Sequence, residues 1–442
     1  LTTTFSKEHS LTPKNYQTLV RERFQQLPDP EPERVALAQA NGRVLTEDIL
    51  APENVPAFPN SQMDGYALTA HAAVSTSRIF TVGADIAAGA SLKNFVPEDG
   101  IAYPIMTGAE VPAGLSAVVP EEKCEPQGEK DGSFAAFQSE VYIPTTQPGQ
   151  FVRQPGEDIK AGEILARAGE KISAVLVGAL AAQGIKEVTV QGARRVLVVT
   201  GGDEVAANDT PAPSHIRDAN GPMLIQLLAE DSAISKHLHI QDDPQKLIHH
   251  LDQAIHEFSP HLIISSGGIS HGKFEVIKNA IHLLMENPTE LTVQKLWFGH
   301  VSQQPGGPQG IMELAHRGSS ENILWLAFPG NPVSTLISYR MFLRPHLNIS
   351  WYYTGTHLGK LQTAEPLEGL AGKTQYRRAT ITRASSESNA TAEWLIEPDP
   401  QTGSHLLHRA AQANALVEIE PNKHYTNGDI LRWYPLSTIE TM

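Results

Sequence analysis

The chain of 442 residues contains one cysteine, Cys124. No intrachain disulfide can form, and no cysteine-built metal cluster is possible. Cys124 is expected to be a small, partly buried hydrophobe. Long apolar runs are also missing: none approaches the ~20 residues needed to span a bilayer. No basic leader followed by an apolar core stands at the start, so a soluble cytoplasmic protein is expected. Positive charge is scarce, with 34 Lys and Arg against 49 Asp and Glu, a formal net charge of −15. That argues against a sequence-independent nucleic-acid binder, which needs a basic surface. A small anionic ligand held by a few local donors remains compatible. What is present is an ordinary globular mixture, 40% hydrophobic and 19% charged. The length is too great for one hydrophobic core.

Pattern along the chain suggests four parts. Within residues 1–50, PKNYQTLVRERFQQL from Pro13 is apolar at helical spacing, and VALAQANGRVL is expected to resume that helix after Pro28 to Pro32. Together with 151–190, which carries the helical SAVLVGALAAQG and the strand-like KEVTV, they form an elongated N-terminal and linker domain. Residues 51–150 hold short apolar runs between turns and read as a β-rich inserted domain. From 191 to 345 strand and helix alternate in the manner of an α/β unit with a mostly parallel sheet. RRVLVVT, HLIISS and NILWLAF are strands; NGPMLIQLLAED, KFEVIKNAIHLLM and VSTLISYRMFLRPHL are helices. Residues 346–442 are β-like again, with ITRASSESNATAE as a hairpin loop.

Three glycine turns directly follow the strands of the α/β segment: VVTGGDE, ISSGGISHG and AFPGNPVST. In open α/β sheets the ligand crevice lies at the carboxyl ends of the strands, where free N–H groups meet anions. One such turn is ordinary, but three in one sheet point to a phosphate or oxyanion crevice. Neither G-x-G-x-x-G nor G-K-[ST] occurs there, so it is not a dinucleotide or Walker loop. The acidic residues Asp203, Glu204, Asp218 and Glu275 accompany the turns. Each alone suits a helix's first turn. Several around a phosphate would repel it unless Mg²⁺ bridged carboxylate and phosphate oxygens. Lys273, Lys278, Arg377 and Arg378 offer the opposite charge, and His271 lies inside a glycine loop. The 18 histidines show no H-E-x-x-H spacing.

FPNSQMDGYAL (58–68) resembles the F-D-N-S-A-M-D-G-Y-A signature of the molybdopterin molybdenumtransferases, the family of bacterial MoeA and the gephyrin E domain. The resemblance continues in order through IMTGAEVPAGLSAVV, GEDIKAGE, TGGDEV, IRDANGPML, SSGGISHGKFEVIK, FPGNPVST and QTGSHLLHRAAQANAL. It implies a central three-layer α/β domain of the molybdopterin-binding type, a β-rich inserted domain and a C-terminal β-barrel-like domain. It also implies an elongated homodimer whose cleft is shared between subunits. The implied reaction inserts molybdenum from molybdate into adenylylated molybdopterin and releases AMP, with Mg²⁺ as cofactor. Transient contact with the molybdopterin adenylyltransferase belongs to the same expectation.

Carried over by motif, the catalytic group is Asp218, Glu204, Glu275 and Asp64, with Glu204, Asp218 and Glu275 as Mg²⁺ ligands. Thr107, Asp158, Gly267, Gly268, Ser270 and Lys278 match ligand-binding positions. Pro329, Gly330, Asn331 and Pro332 shape the cleft wall, while Arg377 and Ser404 match positions for the oxyanion. The chain departs from the pattern at Glu275 (Asp in the family), Pro59 (Asp) and Gly201 (Thr). Gln304 and Gly307 both stand where the family often has lysine, and Lys273 is a candidate to supply the missing charge. The missing lysine at 307 keeps a pterin-binding carrier open as a second reading, and the GG-loop α/β domain, which the adenylylating class shares, keeps the adenylylating enzyme itself as a third.

Overall fold

The runs RVLVVTG, LIISS and NILWLAF are apolar throughout, which suits strands covered on both faces. In the computed structural model they form the adjacent parallel strands Arg195–Gly201, Leu262–Ser266 and Asn322–Phe328. The structure describes residues 3–5, 10–89, 95–206, 214–269, 275–319, 321–347, 357–383 and 394–436. The chain divides into two compact units: Pro32–Gln191, and Leu1–Glu31 with Gly192–Met442.

In the second of these the sheet has seven strands. Their order is Thr3–Phe5, Leu291–His300, Pro308–His316, Asn322–Phe328, Leu262–Ser266, Arg195–Gly201 and Ile234–Ile240. Every strand but Pro308–His316 runs the same way. Alternation along Arg195–Gly201 divides the core. Val196 and Val198 pack with the helices Pro13–Phe24, Asn220–Glu230 and Pro332–Ser338, while Leu197 and Val199 face Pro244–Phe258 and Val276–Glu286. The result is the expected three-layer α/β domain. Thr12 caps Pro13–Phe24 by accepting the Asn15 N–H at 3.2 Å, and Pro13 at the first position needs no donor partner.

After the sheet the chain closes a barrel of five strands: Thr374–Arg383, Trp394–Pro398, His357–Leu361, Ile430–Pro435 and Ala415–Ile419, which returns to the first. Trp433, Ile396, Ile381 and Val417 fill it. Gln303 and Gln304, on the hairpin between two sheet strands, pair in parallel with Thr374 and Gln375 and tie the barrel to the sheet. Most of the loop expected at ITRASSESNATAE lies outside the described residues.

The unit Pro32–Gln191 holds a six-stranded sheet built around Gly65–Thr69, Ile101–Ile105 and Leu115–Pro120. A separate core joins Val35, Leu37 and Leu45 to Ile172, Leu176, Leu180 and Val188.

Two expectations about local structure need correction. VALAQANGRVL does not resume a helix; Glu33–Ala36 is a strand paired antiparallel with Glu187–Val190, and Leu37–Gln39 is one short 3₁₀ turn. A partner strand some 150 residues away, invisible to local periodicity, decides that segment. VSTLISYRMFLRPHL is helical but interrupted, with a π segment at Tyr339–Leu343. Over this stretch Tyr339 donates to Leu227 O and Asp231, Arg340 to Pro435 O and Arg344 to Asp231. The wider turn shifts register so that all three reach buried acceptors. Among the described residues no helix is long and apolar enough to cross a membrane.

Candidate functional site

Strand order reverses between Arg195–Gly201 and Leu262–Ser266, because the next strand after the first, Ile234–Ile240, lies on its other side. Such a switch point opens a crevice at the carboxyl edge. Here the crevice is a cleft of about 1170 Å³. Its lining includes Thr200, Gly201, Glu204, Asp218, Asn220, Gly267, Gly268, Pro329, Gly330, Asn331, Pro332 and Ser404. The three glycine turns thus converge on one space.

Asp218 is the most constrained carboxylate in it. Its Oδ1 accepts the N–H groups of Asn220 and Gly221 at 2.9 and 3.0 Å, and its Oδ2 accepts the Thr200 hydroxyl at 2.5 Å. His237 Nε2 stands 2.6 Å from Thr200 Oγ1 and 3.4 Å from Asp218 Oδ2. With the hydroxyl donating to Asp218, the network assigns Nε2 as protonated. Burial pushes the Asp218 carboxyl up, but the hydrogen bonds from His237, Gly221 and Thr200 outweigh it and bring it down to about 2. Gly221 makes the cluster possible: a Cβ there would lie 2.6 Å from Asp218 Oδ2 and 2.7 Å from His237 Nε2.

Beside it, Asp203 and Asp242 accept each other's backbone N–H groups. Burial, with the charges of Asp203 and Glu204, raises the Asp242 carboxyl above its ordinary range. Among the described residues, Asp242, Asp218 and Glu204 are the acidic ones in the lining.

The far wall is set by side chains that lock the turns. Asn220 Nδ2 donates to Ser266 Oγ at 2.9 Å and Gly330 O at 2.7 Å, while Thr335 Oγ1 donates to Pro329 O at 2.8 Å. Gly267 and Gly330 nearly touch, since a Cβ on Gly330 would sit 3.2 Å from the Gly267 Cα. Asn331 Nδ2 donates to Ser404 Oγ at 2.9 Å and brings in the barrel loop. The buried Arg378 holds that loop by donating to Asp399 Oδ2 and Gly403 O at 3.1 Å each, and also to Gln401 O.

Arg377 does not line the cleft; it donates to Gln375 Oε1 at 3.2 Å, and burial lowers its pKa. Glu275 and Lys278 pair with each other at 3.8 Å and are likewise absent from the lining. Ser270, His271 and Lys273 lie outside the described residues. In the unit Pro32–Gln191, Asp64 Oδ1 accepts the Thr107 N–H at 2.6 Å and hydroxyl at 2.7 Å, bonds that lower its pKa in that order. Asp64 is exposed, as is Phe58 at the start of the motif. Asn60, Ser61 and Tyr66 are buried, and a Cβ on Gly65 would strike Val119 O at 2.1 Å. Asp158 is exposed, with its N–H bonded to Val55 O.

Motif reading missed Thr200, His237, Asn220, Asp242, His300 and Lys373. It noticed Arg378 only as a second arginine. Thr200, at a strand end before glycines, carried a local signal; His237, in mid-strand, carried none.

A switch-point crevice without a dinucleotide fingerprint, beside a five-stranded barrel, defines the class of protein as multidomain α/β with a ligand cleft at the carboxyl edge of its sheet. Family models match along the chain: "MoeA N-terminal region (domain I and II)" at residues 11–184, "Probable molybdopterin binding domain" at 197–348 and "MoeA C-terminal region (domain IV)" at 360–436. Molybdopterin molybdenumtransferase 2 of Mycobacterium tuberculosis is 33% identical over 398 residues, covering 88% of this chain and 91% of its own. Gephyrin of Dictyostelium discoideum is 29% identical over 89% of this chain and 58% of its own. The fold matches the molybdopterin biosynthesis MoeA protein from Pyrococcus horikoshii with a TM-score of 0.69 at 23% identity, covering 98% of this chain and 100% of that one. The chain belongs to the molybdopterin molybdenumtransferase family, whose place is molybdenum cofactor biosynthesis.

Proposed function

We propose that this chain inserts molybdenum from molybdate into adenylylated molybdopterin and releases AMP. The observation that carries the reading is the cleft itself, where three glycine turns meet carboxylates at one end and a serine, a lysine and histidines at the other. Such a space suits a ligand with phosphates and a second, tetrahedral anion.

Asp218 is ionised and held by four donors, so it serves better as a fixed negative group than as a base. Glu204, exposed at the rim, is the better candidate to take a proton from the water that cleaves the phosphoanhydride. Among the described residues no group of three or more His, Cys, Asp or Glu side chains forms a metal cage. Mg²⁺ needs no such cage, because it keeps most of its waters and uses one or two carboxylates with phosphate oxygens. Asp242 would hold it, and when bound it offsets charge between the phosphates and the carboxylates of the cleft. The homodimer and the contact with the adenylyltransferase belong to the same proposal.

The test supplies purified protein with adenylylated molybdopterin, Mg²⁺ and molybdate and measures AMP. Release that requires molybdate is the expected result. Tight pterin binding without release makes the chain a carrier, and formation of the AMP-linked pterin from ATP makes it the adenylylating enzyme; either overturns the proposal.

A further inference from the structure

The cleft is divided by charge along the sheet edge. Its carboxylates come from residues 204–242, at the ends of Arg195–Gly201 and Ile234–Ile240. The opposite end, formed by the hairpin after Leu291–His300 and by the barrel, contributes His300, Lys373 and His405 and, among the described residues, no carboxylate. Hairpin carbonyls that would repel an anion are engaged internally. Gln303 Nε2 donates to Pro305 O and Gly306 O at 3.1 Å each, and Gln309 Nε2 to Gly306 O at 2.9 Å.

Within this end, residues 300 and 307 share one space. A Cβ on Gly307 would lie 2.2 Å from His300 Cε1, 2.6 Å from Nε2 and 3.0 Å from Nδ1. The imidazole therefore rests on the bare Cα of Gly307, in the volume any side chain at 307 would take. The backbone fixes the pair. His300 is registered against Pro308, Val301 N–H donates to Gly307 O at 2.7 Å, and His300 O accepts the Leu11 N–H and the Ser10 hydroxyl. Neither partner can drift without breaking the ladder.

We infer that His300 is an oxyanion-contacting residue of this cleft and that Gly307 is present to admit its ring. The ligand group is a tetrahedral oxyanion, either free molybdate or a phosphate of the pterin ligand. The inference rests on the proposed function for the name of the oxyanion, but not for the pairing of the two residues. Imidazole donates a directed N–H from a rigid ring, whereas lysine at 307 would bring a flexible point charge.

The experiment titrates molybdate, and separately AMP, into the full chain by calorimetry. The variants are His300→Ala, His300→Gln, Gly307→Ala, the His300→Ala/Gly307→Ala double and the His300→Ala/Gly307→Lys double. His300→Ala is expected to weaken one of the two ligands about tenfold, as for loss of one charge-assisted bond. His300→Gln, which keeps a donor, falls between. Gly307→Ala evicts the ring and matches His300→Ala, the Ala/Ala double is no weaker than His300→Ala, and the double carrying Gly307→Lys restores binding. Loss for molybdate assigns the free oxyanion, and loss for AMP the ligand phosphate. Unchanged affinity for both in His300→Ala, or additive losses in the Ala/Ala double, overturns the inference. Should Gly307→Ala fail to fold, the two His300 single variants decide it. A wild-type protein that binds AMP but not molybdate would sink the functional reading alone.

Discussion

At Gly221 the absence of one carbon decides where a carboxylate stands. Its α-hydrogen faces Asp218 Oδ2 and His237 Nε2, and nothing larger fits. Gly221→Ala should cost about 1–3 kcal/mol of stability by overpacking, and it should lower turnover far more than its effect on the denaturation midpoint suggests. Steady-state kinetics beside urea unfolding checks this; full activity in the variant would deny the cluster its role. Asp218 itself makes a pH statement. Its folded pKa, about 2, lies below the ordinary 3.8, so its stabilisation is complete above the higher value and is lost as pH falls from about 4 toward 2. Asp218→Asn should therefore be less stable than wild type at neutral pH, with the gap closing across that window in unfolding midpoints.

Among elements, the junction of the strands Arg195–Gly201 and Leu262–Ser266 is set by His261. Its Nδ1 accepts the Arg195 N–H at 2.9 Å, so the ring must be neutral. Burial first, then Arg195 and Arg194, depress it from 6.5 to about 4. A depressed histidine leaves the unfolded state to bind the proton first. Stability should then fall as pH drops from about 6.5 to 4, and His261→Gln should flatten that part of the profile. The barrel loop offers a different test. Arg378 holds residues 399–403 with a planar fork that lysine cannot reproduce. Arg378→Lys should raise KM about tenfold, with a smaller change in kcat, because charged hydrogen bonds of roughly 1.5–3 kcal/mol that position the loop are lost. A fall in kcat at constant KM would argue that the loop acts on the chemistry instead.

For the whole molecule, the net charge of −15 surrounds a cleft proposed to take up anions. The long-range field repels the ligand, while the cationic end acts only at short range. Salt should therefore accelerate capture, since a Debye length of ~10 Å at 0.1 M screens the distant charges first. Stopped-flow association of AMP is expected to quicken between low and physiological ionic strength; slowing would mean that the local basic end dominates the field.

Much of this architecture was legible in the chain. Arg195–Gly201, Leu262–Ser266 and Asn322–Phe328 are apolar without a break, and each stops at glycine or Pro-Gly, so both the buried sheet and its crevice can be read locally. The helix Pro244–Phe258, which the sequence expectations do not include, carries plain local signals in Asp243 as cap and Pro244 in the first turn. Motifs named the family and most of the cleft's glycines and prolines. What the sequence could not yield are contacts between residues distant in the chain. His237 against Asp218, His300 over Gly307, Glu33–Ala36 as a strand and Arg378 beneath the barrel loop each depend on a partner without a fixed spacing. Local pattern determines which segments form strands and turns, because propensity and periodicity act over a few residues. Which side chains share a space is decided only when the sheet orders its strands and the barrel closes beside it.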